Sequence, residues 1–314
     1  MLLYTFRRLG LALVIMLVAM TILFGLVYLV PGDPASIALG PRATPEMRES
    51  LRAKMGLDQP IPIQLWHFMA NAAQGDLGID VWSNRSVGRI VAEALPYTIA
   101  LTACGIGWAI LLGIPMGAYS ALHRATWLDR LVALLSVGAI AIPSFIVALY
   151  SLLLFAVGLG WLPAIGAGAA GDLGDQLSHL VLPSLALGLG WVGYLARLVR
   201  ASMLEVMGEN HIRTARAFGL AERTIVYCYA LRIAILPTVA LLGVGIGSLL
   251  SSAVFVEIVF ARPGLGKLAY DAVITRNYPV VMGAVLVTTG LYSLCTLASD
   301  LLAAYLDPRV RAAL

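Results

Sequence analysis

The chain has 314 residues, 60% of them apolar and 12% charged, and a formal net charge of +4, with a mean hydropathy of +0.90. A balance this apolar excludes a soluble globule and describes a polypeptide whose solvent is mostly lipid. The charges fall largely outside long apolar runs, so the sequence divides into spans and loops.

The first span is predicted over Leu9–Val30, behind Arg7 and Arg8, and PGDP stops it. It is too long for the apolar core of a signal peptide, and no small-residue cleavage site follows. An extracytoplasmic segment, Pro31–Leu95, comes next. Within it Pro45–Met55 and Ile63–Ala72 read as short helices, the first with Thr44 as N-cap and Pro45 at the following position. The segment is too small and too punctuated for a catalytic domain and reads as a cap or lateral brace, or as a docking surface for an external partner. Asn84-Arg85-Ser86 matches a glycosylation acceptor, a three-residue pattern that is frequent by chance. Five more spans follow, Pro96–Ala121, Leu131–Gly158, Leu180–Leu198, Ile233–Val256 and Val280–Ala303. The expectation is an all-α membrane protein in three parts: an N-terminal span at 1–30, a cap at 31–95, and a five-span core at 96–314. Six spans put both ends on one side.

Orientation follows from the charges. With the N-terminus inside, the inner segments hold twelve basic and five acidic residues, and the outer ones nine basic and eleven acidic. Both termini are therefore predicted to be cytoplasmic. No aromatic and basic platform for nucleic acid appears.

Small residues punctuate the spans. Gly113 and Gly117 flank Pro115, Pro143 interrupts the third span, Pro183 starts the fourth ahead of Gly188 and Gly190, and Gly243, Gly245 and Gly247 crowd the fifth. Such residues let helix backbones approach closely, and each glycine singly reads as packing. The fifth span differs, because Ser248, Ser251 and Ser252 accumulate over successive turns and could line a wide, weakly selective pathway. Pro143 and Ser144 of the bent third span are predicted to lie opposite. Six helices enclose little space for a bulky solute, so a partner subunit is expected to complete the route.

Ionisable groups at mid-membrane are nearly absent, which argues against ion coupling. Asp300 lies near the inner end of the sixth span and is predicted to pair with Arg309 or Arg311 if the chain folds back. The three cysteines and four histidines share no ligand spacing, and no catalytic motif is present. No metal site, disulfide framework or enzymatic activity is expected. Gly264-Leu265-Gly266-Lys267 imitates the end of a nucleotide loop but has leucine at 268 in place of Ser or Thr. If transport is active, its energy must arrive through another polypeptide.

That directs attention to the inner segment at about 203–225, which leads into the fifth span. Glu205, Glu209, Arg213 and Arg216 have helical i,i+3 and i,i+4 spacing, and Ile212, Ala215, Phe218 and Gly219 offer compact apolar contacts. A turn near Gly219-Leu220 would separate a short helix along the membrane from one entering the span. Such an elbow could transmit a push, or it could merely rest on anionic lipid.

The sequence resembles the membrane permease subunit of binding-protein-dependent ABC importers, specifically the dipeptide and oligopeptide branch, which also includes nickel and glutathione systems, and the first of its two paired permeases. The resemblance rests on RRLGLAL, LVPGDPA, MGLDQPIPIQLWHF, GDLG, SVGRIVAEALPYTIALT and IAIPSF, then on ENHIRTARAFGL, RIAILPTV, VFVEIVFARPGLGKLAYDAVITRNYPVV and LDPRVR, in this order over the whole chain. It implies the six-helix type I importer permease fold in a bacterial inner membrane. It also implies a second, homologous permease as heterodimer partner, two ATP-binding subunits that hold ATP and Mg, and an extracytoplasmic solute-binding protein. This chain would bind no cofactor. Glu209, Ile212, Arg213, Thr214, Ala215, Arg216, Phe218, Gly219 and Leu220 would form the ATPase-coupling segment, with Gly219 permitting the turn. Glu257, Arg262, Pro263, Gly264 and Gly266 would form a rigid outer turn near the binding protein, and Asn277, Tyr278 and Pro279 would set the start of the sixth span. Three positions depart from the family pattern: Phe218 replaces lysine, Arg262 an aromatic residue, and Asn277 an aspartate. Arg213-Thr214-Ala215 stands where a glutamate-alanine-alanine opening occurs elsewhere. The cargo implied is a di- or oligopeptide or a related small solute. The contrasting reading is an ion-coupled or passive carrier whose inner loop is anchored to lipid.

Overall fold

The computed structural model describes residues 2–29, 44–54 and 58–306. They form helices α1 (Leu2–Leu29), α2 (Pro45–Lys54), α3 (Ile61–Ala73), α4 (Val87–Trp108), α5 (Ile114–Leu122), α6 (Trp127–Ala141), α7 (Ser144–Ser151), α8 (Leu173–Met207), α9 (Asn210–Ala217), α10 (Glu222–Thr224), α11 (Leu231–Ala234), α12 (Leu236–Val259), α13 (Leu265–Ile274) and α14 (Tyr278–Leu306). Wide π turns join α4 to α5 (Ala109–Gly113), extend α7 (Leu152–Gly158) and join α10 to α11 (Ile225–Ala230). The first of them ends two residues before Pro115, which has no N–H to offer the carbonyl four residues back.

Among the described residues five helices are long and apolar enough to cross a membrane, and a sixth crossing exists if α6 and the extended α7 count as one. The third span, expected as one run over Leu131–Gly158, is two helices bent by 101°. Pro143 causes the break, since its ring forces the preceding residue out of the helical region, and Ile142 sits at φ −90° and ψ 120°. The fourth span is also corrected. It begins at Leu173, not Leu180, and Pro183 lies inside it. The Asp172 carboxylate accepts the Asp175 N–H at 3.1 Å and caps the helix there. At about 1.5 Å per residue, its 35 residues reach roughly 50 Å, well past a hydrocarbon core of about 30 Å.

The chain falls into two compact units, Ala100–Phe260 with the residues from Leu294, and Leu2–Ile99 with Ala261–Ser293. In the first, α8 is the hub, packed against α5, α6, α7 and α12. Of the glycines that the sequence marks for close approach, Gly113, Gly117, Gly188, Gly243 and Gly245 make it, and Gly193, which it does not mark, does so as well. A Cβ at Gly188 would strike the Gly105 carbonyl and one at Gly117 the Ala196 carbonyl, while one at Gly113 would come within 2.8 Å of the Val192 carbonyl and one at Gly193 within 2.5 Å of that of Ser136. Trp191 lies 2.9 Å from the Cβ position of Gly245 on α12.

In the second unit, α1 turns most of its surface outward, with Leu13, Val14, Val18 and Ile22 exposed and Met20 and Phe24 buried. Phe24 packs on Phe68 of α3, with ring centroids 6.0 Å apart. Thr44 caps α2 as predicted, its Oγ1 accepting the Met47 N–H at 3.3 Å. Val87, Val91, Leu265, Val280 and Val281 share one buried cluster.

Substituting Gly117→Val is expected to destabilise the protein by about 1–3 kcal/mol through overpacking against α8. Gly10→Ala on α1, where an added methyl meets nothing within 4 Å, should leave stability unchanged or slightly improved. Survival after heating in detergent, read by size-exclusion chromatography, compares the two.

Candidate functional site

The segment at about 203–225 folds as a helical elbow. After α8 ends at Met207, Glu209 turns the chain at φ −74° and ψ 157° and α9 runs from Asn210 to Ala217. Its end is a Schellman turn: the Gly219 N–H bonds the Arg216 carbonyl at 2.9 Å and the Leu220 N–H bonds the Ala215 carbonyl at 3.3 Å. Gly219 takes φ +75°, which an L side chain adopts only with strain.

The nine residues assigned to this segment separate into two sets. Ile212 and Ala215 are buried with Val199, Met203 and Val206 of α8, Ala118 and Ala121 of α5, and Ile225, Val226 and Ala230. They are anchors, not outward contacts, because a side chain 0% exposed, as Ile212 is, can touch nothing beyond its own fold. Glu209, Arg213, Thr214, Arg216, Gly219 and Leu220 are exposed, and Phe218 is 81% exposed. The expected ladder of Glu205, Glu209, Arg213 and Arg216 does not form, since the break after α8 takes Glu205 and Glu209 off one helix. Glu209 instead lies 3.0 Å from His211. Arg216 grips Glu222 with two bonds of 3.2 and 2.7 Å, which hold the Glu222 carboxyl below the usual carboxylate range.

A second group at this end of the fold is not legible in the sequence. Asp129 is buried and accepts from Arg200 Nε at 2.6 Å, a second Arg200 nitrogen at 2.8 Å, Ser120 Oγ at 2.5 Å and the Ala125 N–H at 3.0 Å. One carboxylate thus ties α5, the turn at Ala125, α6 and α8 together, and every lone-pair direction is used. The only local signal is Thr126 three residues ahead of Asp129, an N-cap pattern whose bond is present at 3.3 Å.

On α12, Val244, Ser248, Ser251 and Phe255 are exposed at alternating four- and three-residue steps, forming one face; Ser252 is half-buried. Pro143 is exposed and Ser144 half-buried at the bend before α7. The bend lies beside this face and not opposite it. The Phe145 and Phe255 rings are 6.1 Å apart, and Ala148 shares a buried cluster with Leu249, Ala253 and Val256.

The turn expected on the outer side is mostly buried within the fold. Glu257 is 0% exposed and lies on α12, not in a turn, and Arg262 is 3% exposed. Gly264 and Gly266 are also buried, so Pro263 alone of these five is exposed. Gly264 and Gly266 open an unforeseen helix, α13, whose Leu265 N–H is capped by Thr98 Oγ1 at 2.8 Å. Lys267 pairs with Asp271 at 2.5 Å, one helical turn on, as an ordinary surface pair.

Asn277 precedes α14 as predicted and its amide donates to the buried Asp80. Asp80 also accepts from Ser83 Oγ and from the Trp82 and Ser83 N–H groups at 3.1 and 3.2 Å. Burial pushes its carboxyl up, but these bonds outweigh it and leave it below the ordinary value. The departure at 277 has a physical reason: an aspartate there would face a second carboxylate. Asp300 is half-buried on α14, and Arg309 and Arg311 lie outside the described residues.

Residues 113–312 match the family described as binding-protein-dependent transport system inner membrane component, and residues 1–102 match its N-terminal component. The chain is 39% identical over 311 residues, 99% of each protein, to the glutathione transport system permease protein GsiC of Pectobacterium atrosepticum. It is 37% identical over the same extent to GsiC of Escherichia coli K12. Among solved structures, an inward-facing MetNI methionine ABC transporter chain aligns with a TM-score of 0.55 at 21% identity, covering 69% of this chain and 96% of that one. This likeness concerns the fold.

Removing either side of the buried pair, by Asp129→Ala or Arg200→Ala, is expected to cost about 2–3 kcal/mol, and the double variant less than the sum. Thermal denaturation in detergent measures the cycle. Asn277→Asp is expected to cost about 1–3 kcal/mol at neutral pH and to recover as pH falls to about 5, when one of the facing carboxyls takes a proton. In the native protein the Asp80 contribution should be flat over that window. The lowered Asp80 carboxyl contributes stability above the unfolded value of 3.8 and loses it only as pH falls through the still lower folded value. Unfolding midpoints across pH check both.

Proposed function

The chain belongs to the family of binding-protein-dependent transport system inner membrane components, is a multi-pass permease subunit of a bacterial ABC importer, and we propose that its α9 elbow is the point where the motor pushes. On this reading six crossings hold both termini and the elbow inside and Pro31–Leu95 outside. A second permease completes the pathway, two ATP-binding subunits sit beneath, and a solute-binding protein delivers cargo from above.

The observation that carries the proposal is the divided surface of α9. Ile212 and Ala215 weld the helix to α5, α8 and the turn below α12, while Arg213, Thr214, Phe218 and Leu220 stand outward. A helix held by one face and bare on the other can receive a load and pass it on. Phe218, in place of the family's lysine, makes the docking contact more apolar. Closing of the ATP-bound motor subunits would press the elbow, and α11 and α12 would carry the displacement to the Ser248 and Ser251 face. The mild small-polar character of that face suits solutes already selected elsewhere. The cargo we propose is a short peptide, glutathione included, on the strength of the permeases named above.

Gly219→Asn should preserve ATP-dependent uptake, since asparagine tolerates the left-handed conformation. Glutathione uptake and ATPase co-purification are the readouts. Uptake that followed a proton gradient and required Asp300 would reject the proposal.

A further inference from the structure

Beside the elbow lies a cavity of about 460 Å³ that the transport reading does not use. Its floor is apolar, made of the buried Ala121 and Val226 and the half-buried Met207 at the end of α8, with the exposed Leu122 at the end of α5 beside them. Its rim is polar, with His123, Arg223 and Tyr227 beside the Arg216–Glu222 pair. Arg216 and Glu222 neutralise each other, whereas Arg223 is exposed and makes no ion pair among the described residues. The site therefore carries a net positive charge. His123 donates through Nδ1 to the Tyr119 carbonyl at 3.0 Å, which in the neutral ring leaves Nε2 as an acceptor, so Arg223 is the donor available to an anion here. In the adjoining turn and α6, Arg124 and Arg130 are exposed on either side of Trp127, itself 70% exposed, and Tyr227 is 62% exposed.

An apolar floor, a cationic rim and flanking exposed Trp and Tyr are the chemistry of the level where lipid headgroups meet acyl chains. A small soluble anion would satisfy the rim but leave the floor wet, which favours a ligand with both parts. We propose that this cavity seats an anionic phospholipid of the inner leaflet, its phosphodiester on Arg223 and the start of its acyl chains on Leu122, Met207 and Val226. So placed, the lipid ties the end of α5 to α10 and braces the elbow from behind. The inference rests on the inner-side placement of α9 proposed above.

The test uses the assembled transporter reconstituted in phosphatidylcholine alone or with phosphatidylglycerol. Phosphatidylglycerol should be retained in native mass spectra and raise solute-stimulated ATPase activity. Arg223→Gln should weaken its apparent affinity about fivefold, as expected for one cation at an anionic surface, with basal ATPase activity unchanged and Arg223→Lys restoring retention. Retention unaltered by Arg223→Gln would overturn the site. Displacement by inorganic phosphate at the headgroup concentration would overturn the lipid in favour of a soluble anion. Labelling of Arg223→Cys, in a background without the native cysteines, by a membrane-impermeant reagent from outside the cell would instead defeat the inner-side placement itself.

Discussion

The arrangement depends on how closely backbones approach α8. Lipid offers apolar side chains no reason to leave it, so helices in a membrane associate through dispersion contacts and matched shape. Those contacts fall off within an ångström, and side chains at a crossing hold the backbones apart. Along α8, Gly188 meets Gly105 of α4, Gly193 meets Ser136 of α6, and Ala196 meets Gly117 of α5, so three different neighbours reach its main chain at successive turns. Once α5 and α6 are seated this way, the turn between them is short enough for Ala125 to bond Asp129, and Arg200 of α8 arrives at the same carboxylate. Close packing thus comes first, and the buried charge pair fits into the space it leaves.

The elbow inherits its firmness from that frame. α9 has only eight residues, too few to hold a helix by itself in water, and it persists because Ile212 and Ala215 enter a cluster drawn from α5, α8 and the segment below α12. On the proposed reading, a load on Phe218 and Arg213 would therefore reach two routes at once, back along α8 and forward into α12. Ordering of such a short element by its own core also explains why its outer face can be chemically varied, as at Phe218, without loss of the fold.

What the sequence made legible was local. The apolar runs located the spans, Thr44 before Pro45 gave a cap, and Gly219 gave the left-handed turn, each from chemistry within a few residues. Ends were misjudged where polar residues continue a helix beyond the apolar part, as in α8, whose first turns carry Asp175, Gln176 and His179. The bend at Pro143 was visible as an interruption, but its angle depends on what α7 packs against. Pairs distant in sequence left no trace: Asp129 and Arg200 are 71 residues apart and Asp80 and Asn277 are 197 apart. Glu257 and Arg262 were placed in an outer turn by the family resemblance, and only the packed structure shows their side chains buried.

The turn at Ile225–Ala230 has a consequence for the history of the chain. A π turn holds one more residue than an α turn in the same stretch of helix, so this linker contains a surplus of one. Excising a single residue there would restore ordinary helical winding and leave the parts on either side facing as before, because the surplus is taken up within the turn itself. One residue lost from the plain α-helical turn that follows, Leu231–Ala234, would instead swing the elbow by about 100°. The π turn is therefore the place in this linker where a change of one residue in length leaves the azimuth of the elbow intact.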